Sequence, residues 1–202
     1  MKEVALEKDY NSDYWENKYL NNKTGWDIGY IATPIKEYFD QIEEKSVKIL
    51  VPGAGNGYEV EYLFNNGFKN VFFLDYSDFA TQNFKKRIPS FPDNQIINEN
   101  FFSHKGNYNI IVELAFFSSI KREIRKNYAS KMHDLLSEKG KLIGLLFNHE
   151  FENDFPPFGG TAKEYKNLFS PYFNIKSMEI AYNSIKPRAN RELFLHLIKK
   201  QI

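Results

Sequence analysis

Three glycines at every second position, Gly53, Gly55 and Gly57 in the stretch VPGAGNGYEV, follow an apolar run and precede a segment with helical spacing. A turn without side chains between strand and helix lets a ligand come close to the backbone. The spacing G-x-G-x-G departs from the dinucleotide pattern G-x-G-x-x-G, whose last glycine is replaced here by Tyr58. That departure weakens a pyrophosphate site and favours a nucleoside lying against the turn. Asp75 stands eighteen residues after Gly57, at the end of the next apolar run, where a carboxylate can accept hydrogen bonds from both ribose hydroxyls. Turn and acid together predict a ribose-bearing ligand and leave open which one.

Other chemistries are excluded or unsupported. The chain has no cysteine, which removes disulfides, thiolate metal sites and a cysteine nucleophile. His104, His133, His149 and His196 are scattered without zinc-ligand spacing, so no metal is expected. With 27 basic and 26 acidic residues the formal charge is +1, which gives no basic face for a nucleic acid. The start, MKEVALEKDYNSDYW, is broken by charge every few residues and predicts neither a signal peptide nor a membrane span. A soluble cytoplasmic protein is expected, a monomer or weak homodimer, with neither nucleic acid nor membrane as partner.

The elements that must position these residues follow from hydrophobic period. At 202 residues, 42% apolar and 17% aromatic, the chain fits one domain around one core, spanning 1–202. After a polar, aromatic-dotted N-terminal stretch, Pro34 opens a helix to about Ile42. VKILVP reads as a buried strand, YEVEYLFNNG as a helix stopped by Gly67, and NVFFLD as a second strand. Ser77 caps a helix running to about Arg87. QIIN and YNIIVEL are strands three and four; a helix from about Arg122 to Ser137 is expected to end at Gly140, before strand five, KLIGLLF. Thr161 and Glu164 form a capping box for another helix, and the tail suits an antiparallel hairpin at the edge. This alternation predicts a doubly wound, mostly parallel α/β sheet with ligands at the strands' carboxyl ends.

The stretch KTGWDIGYIATP, with VPGAGNGYE, Phe101-Phe102 and FPPFGGTAKEY, resembles the thiopurine and thiol S-methyltransferase family, most strongly at Trp26, Asp27, Gly29, Ala32, Thr33 and Pro34. The resemblance extends from about Trp15 to Leu197. It implies a Rossmann-like seven-stranded sheet with an antiparallel C-terminal strand, S-adenosylmethionine as cofactor, and a segment, residues 1–33, covering the cofactor. The implied cofactor residues are Trp15, Trp26, Gly53, Ala54, Gly55, Gly57, Asp75, Tyr76, Asn100, Phe101 and Glu113. Two depart from the family pattern: Asn100 stands where an aspartate is frequent before Phe-Phe, and Glu113 is the nearest acid to an aspartate usual after strand four.

Methyl transfer is an in-line displacement at an activated carbon, so alignment and water exclusion matter more than acid or base. A soft nucleophile, a small thiol above all, needs no base; a harder one would, and His149 is the placed candidate. Phe155, Pro156, Pro157 and Phe158 in the aromatic lid after strand five, with Phe116 and Phe117 after strand four, are the expected substrate walls. By the same resemblance Arg125, and Arg188 or Arg191 in KPRANRE, match family positions near the substrate and could orient an anion. Two alternatives remain: a nicotinamide-dependent oxidoreductase, against which Tyr58 counts, and a non-catalytic nucleoside-binding module, which would need no lid.

Overall fold

The computed structural model describes residues 10–202; the first nine residues of the expected 1–33 cover lie outside the described residues. Seven strands form one sheet in the order β3-β2-β1-β4-β5-β7-β6. They are β1 (Ile49–Pro52), β2 (Val71–Asp75), β3 (Ile96–Asn98), β4 (Tyr108–Leu114), β5 (Leu136–Phe147), β6 (Phe173–Ile180) and β7 (Glu192–Lys199). The first five pair in parallel. β7 runs antiparallel to both neighbours, β5 and β6. The tail does form a hairpin, but its antiparallel member is interior, and the edge is β6. Strand order reverses between β1 and β4, which opens a crevice at their carboxyl ends.

Alternating residues of the sheet feed two cores. Ile49, Val51, Ile110, Val112 and Ile143 face the helices α2 (Thr33–Asp40), α3 (Tyr58–Asn65) and α4 (Asp78–Arg87). Leu50, Ile111, Leu142 and Leu195 face α5 (Arg125–Leu135) and α6 (Ala162–Phe169). Period-two alternation with both faces buried is what a sheet sandwiched by helices demands. Local chemistry sets the helix starts: the Ser77 side chain accepts the Ala80 amide at 3.2 Å, and Thr161 with Glu164 closes a reciprocal capping box.

Two boundaries differ from expectation. The helix α5 ends at Leu135 and β5 begins at once at Leu136, so Gly140 lies inside a strand. A short helix, α1 (Ser12–Leu20), occupies the N-terminal stretch. Its hydrophobic spacing is masked because its aromatic rings face the crevice instead of a core, and none of its residues is buried. Among the described residues no helix is long and apolar enough to cross a membrane.

Gly144 on β5 sits opposite Glu113 on β4, and a Cβ there would lie 2.5 Å from the Glu113 carbonyl oxygen. Backbone cannot yield as a side chain can, so Gly144→Ala is expected to cost about 1–3 kcal/mol. Urea unfolding followed by circular dichroism measures it; a midpoint equal to the parent's would contradict the close β4–β5 approach.

Candidate functional site

The carboxyl ends of β1, β2 and β4 open into one cavity of about 570 Å³, within the range of small-molecule sites. Its floor is the turn after β1. Gly53 has φ +59°, and a Cβ there would lie 2.5 Å from the Phe116 ring, so glycine is what lets Phe116 cover the turn. The Gly55 amide donates to Asp75 Oδ2 at 2.8 Å, and the Ser77 amide donates to Oδ1 at 2.9 Å. Asp75 is buried against the cavity wall. Burial raises its pKa while these amides lower it. A carboxylate oxygen that accepts one amide keeps a further lone pair for a ligand hydroxyl.

The N-terminal segment closes the cavity from above. Trp15 and Trp26 both line it and meet edge to face at 5.3 Å. Tyr19, not anticipated from sequence, sits edge-on to Trp26 at 5.7 Å and stacks on Phe79 at 5.4 Å. Its hydroxyl lies 2.8 Å from where a Gly55 Cβ would stand, and burial beside Asp75 pushes its pKa up. The segment is pinned by polar contacts: Arg188 Nη2 donates to the Trp26 carbonyl at 2.7 Å, Asn56 Nδ2 to Asp27 Oδ2, and the Tyr76 hydroxyl to the Tyr10 carbonyl at 2.5 Å.

Toward β3, Asn100 and Phe101 line the cavity. Asn100 Oδ1 accepts the Phe102 amide at 2.8 Å, so part of the acceptor capacity expected to meet a base edge serves the turn. Phe101 packs edge-on to Phe116 at 5.1 Å. On the opposite side, Phe116, Pro156, Pro157, Arg188 and Arg191 line the wall as expected, joined by Phe147 and Phe151. Ala54, Gly55, Asp75 and Tyr76 complete the set of anticipated residues on this one cavity.

Seven expected site residues do not line it. Gly57 is the left-handed N-cap of α3, and a Cβ there would strike Phe84 at 2.5 Å; its glycine serves core packing. Glu113 is fully buried beneath the loop after β4, where it accepts the Phe117 amide at 2.8 Å and the Tyr128 hydroxyl. Phe117 packs in the core against Tyr128 and Tyr165. Arg125 lies across the Phe117 ring at 4.3 Å and donates to the carbonyls of Phe158 at 3.0 Å and Gly159 at 2.9 Å. It therefore clamps the loop after β5 from outside the cavity lining. His149 packs between Phe147 and Phe151, with Nε2 at 2.6 Å from Arg191; burial and Arg191 lower its pKa. His149 does not line the cavity, and an imidazole nitrogen that accepts from the Arg191 guanidinium is not available there as a base. Phe155 is 54% exposed, and Phe158 packs edge-on to Tyr10 at 5.9 Å.

The family model described as Thiopurine S-methyltransferase (TPMT) matches residues 10–198. A "Probable thiol methyltransferase 2" of Arabidopsis thaliana is 26% identical over 93% of this chain and 85% of its own. A "Thiocyanate methyltransferase 1" of Brassica oleracea is 27% identical over 88% of this chain and 81% of its own. In fold, the chain is similar to a 1,6-didemethyltoxoflavin-N1-methyltransferase of Burkholderia thailandensis solved with S-adenosylhomocysteine. The TM-score is 0.76 at 14% identity, covering 94% of this chain and 87% of that one.

Burial pushes the Glu113 carboxyl up to about 7, above the ordinary value near 4.3 that it has in the unfolded chain. Between these values the folded state holds a proton that the unfolded state has lost, so this contribution to stability falls as pH rises from about 4.5 to 7. Glu113→Gln is expected to flatten that part of the pH profile in urea titrations at pH 5, 6 and 7. An unchanged slope would mean that the carboxyl is ionised in the fold.

Proposed function

The chain belongs to the thiopurine S-methyltransferase family, and from that premise we propose that this cavity transfers a methyl group from S-adenosylmethionine to a small, soft sulfur nucleophile bound as its anion. The family carries the S-adenosylmethionine-dependent methyltransferase activity, which sets aside the nicotinamide and non-catalytic alternatives. The observation that supports the finer reading is that one cavity runs unbroken from Asp75 to the aromatic wall at Phe151 and Pro157. It is large enough for a nucleoside cofactor and leaves room for only a small acceptor beside it.

The residues present fit the cofactor. The Gly53–Gly55 turn presents bare backbone, the Asp75 carboxyl offers lone pairs to a ribose, and Trp15, Trp26 and Tyr19 roof the turn. When bound, S-adenosylmethionine supplies a methyl group already activated on a sulfonium. The chain's part is to align and to exclude water. Phe116, Phe151, Pro156 and Pro157 make a wall without hydrogen-bonding side chains. There the attraction between a sulfonium and an anionic nucleophile is stronger than in water, and charge lost in the displacement costs no solvation. Lys18 and Arg191 line the same cavity and attract an anion toward it. With His149 turned to Arg191 and Glu113 buried below the loop, neither supplies a base, which suits an acceptor that arrives ionised.

The relatives described as thiol and thiocyanate methyltransferases accord with that class of acceptor. Mass spectrometry of reactions with S-adenosylmethionine is expected to give higher kcat/KM for hydrosulfide and thiocyanate than for a bicyclic thiopurine. The reverse order would overturn the small-acceptor reading. Asp75→Ala removes the ribose acceptor and is expected to weaken S-adenosylhomocysteine at least tenfold in calorimetry, in line with about 1.5–3 kcal/mol for hydrogen bonds to a charged group. An unchanged dissociation constant would show that Asp75 touches no cofactor.

A further inference from the structure

Glu59, the second residue of α3, lines the cavity immediately beyond the glycine turn and is 6% exposed. Its Oε1 accepts the Ala32 amide at 3.2 Å, where the cover segment joins α2. Among the described residues no cation forms an ion pair with it. A buried carboxyl is ordinarily matched by a cation or held neutral. Burial pushes Glu59 up to about 7. The charges facing it are Asp27 from the cover, which raises its pKa further, and Arg188 from the β6–β7 connection, which lowers it. Tyr58 beside it on α3 has its own pKa raised, chiefly by burial, and stays neutral. Arg188 is already spent on Glu192 and on the Trp26 carbonyl, so it does not neutralise the carboxyl. This corner, with two carboxyls on one wall, calls for a positive group from the ligand.

The topology says which group that is. Asp75 at the end of β2, with Asn100 and Phe101 near β3, and Glu59 at the start of α3 lie on opposite sides of the Gly53–Gly55 turn of β1 along one cavity, so a nucleoside whose ribose met Asp75 and whose base met Asn100 would carry its 5′ substituent over the turn toward Glu59. We propose that Glu59 binds the α-ammonium group of the cofactor's amino acid end, which distinguishes the amino acid arm from a bare nucleoside. The assignment rests on the cofactor reading above. A primary ammonium has three donors and no acceptor, which matches a carboxylate that lines the cavity, accepts backbone amides alone, those of Ala32 and of Glu59 itself, and forms no ion pair among the described residues. In the protonated state, binding is an exchange: the carboxyl gives its proton to solvent, and the carboxylate left behind pairs with the ammonium. Cofactor affinity therefore rises with pH through about 7.

Calorimetry on the full chain tests this with two ligands, S-adenosylhomocysteine, which has the amino acid arm, and 5′-methylthioadenosine, which lacks it. In buffers of different ionisation heat at pH 6.5, the unmodified protein is expected to release a proton on binding the first ligand and none on binding the second. Glu59→Gln, which keeps an oxygen for the Ala32 amide, is expected to weaken S-adenosylhomocysteine at least tenfold at pH 7.5, to leave 5′-methylthioadenosine within twofold, and to abolish proton release. Equal weakening of both ligands, or proton release that does not depend on the arm, would reduce Glu59 to a structural role and overturn the proposal. Binding of neither ligand by the unmodified protein would instead fell the cofactor reading on which it rests.

Discussion

The hydrogen bond from the Gly55 amide to the Asp75 carboxylate, at 2.8 Å, joins the turn after β1 to the end of β2. With the Ala54 amide, which donates to the Leu74 carbonyl at 3.1 Å where the β1–β2 ladder ends, it sets the shape of the cavity floor. It stands only because no side chain projects from Gly55, whose φ of +55° points the amide at the acid and leaves the facing space to the Tyr19 hydroxyl. Asp75 thus does two things with one group: it fixes the turn and offers the lone pairs that remain. Such double use explains why the acid is buried although burial raises its pKa; the amides supply part of what water would have supplied.

The roof is built on a different principle from the floor. The β strands owe their place to apolar area on both faces, while α1 buries no residue and stays attached through ring contacts and a few polar pins. Edge-to-face ring pairs are worth about 0.5–1.5 kcal/mol each, enough in sum to hold a short helix and little enough to let it open locally without disturbing the sheet. Burial is thus divided unequally between parts of one chain: the sheet is held by packing on both faces, the N-terminal helix by surface contacts alone.

How much of this was legible in the sequence depends on whether a residue's signal was local. The glycine turn, Asp75, the Ser77 cap and the Thr161–Glu164 box all lie within a few residues of the structure they determine, and each stands where expected. The strands were legible because both faces are buried, which compresses their apolar residues into short runs. Side-chain direction was not legible. Phe116 and Phe117 are neighbours, yet one roofs the turn and the other enters the core, a choice made by Ala115 at φ +63° and the short 3-10 turn after it. Arg125 and Glu113 have polar groups that sequence assigns to ligands; only tertiary packing shows that backbone carbonyls, an amide and a tyrosine hydroxyl already take them. Tyr19 and Glu59 were missed because an aromatic in a polar helix and an acid in a helix's first turn both have ordinary local explanations.

The seventh strand in chain order takes an interior place, between the fifth and the sixth. As the polypeptide leaves the ribosome, strands one to five can pair one after another, but the sixth has no neighbour to bond until the seventh is made. Until then β5 presents an open edge of bare amides and carbonyls, the kind of surface that recruits foreign strands. Arg188 and Arg191 are delivered by the connection that precedes β7, so this wall of the cavity is completed by the same late event that seals the sheet. In a nascent chain this wall of the cavity and the protection of the β5 edge would accordingly arrive together, once β7 has been made.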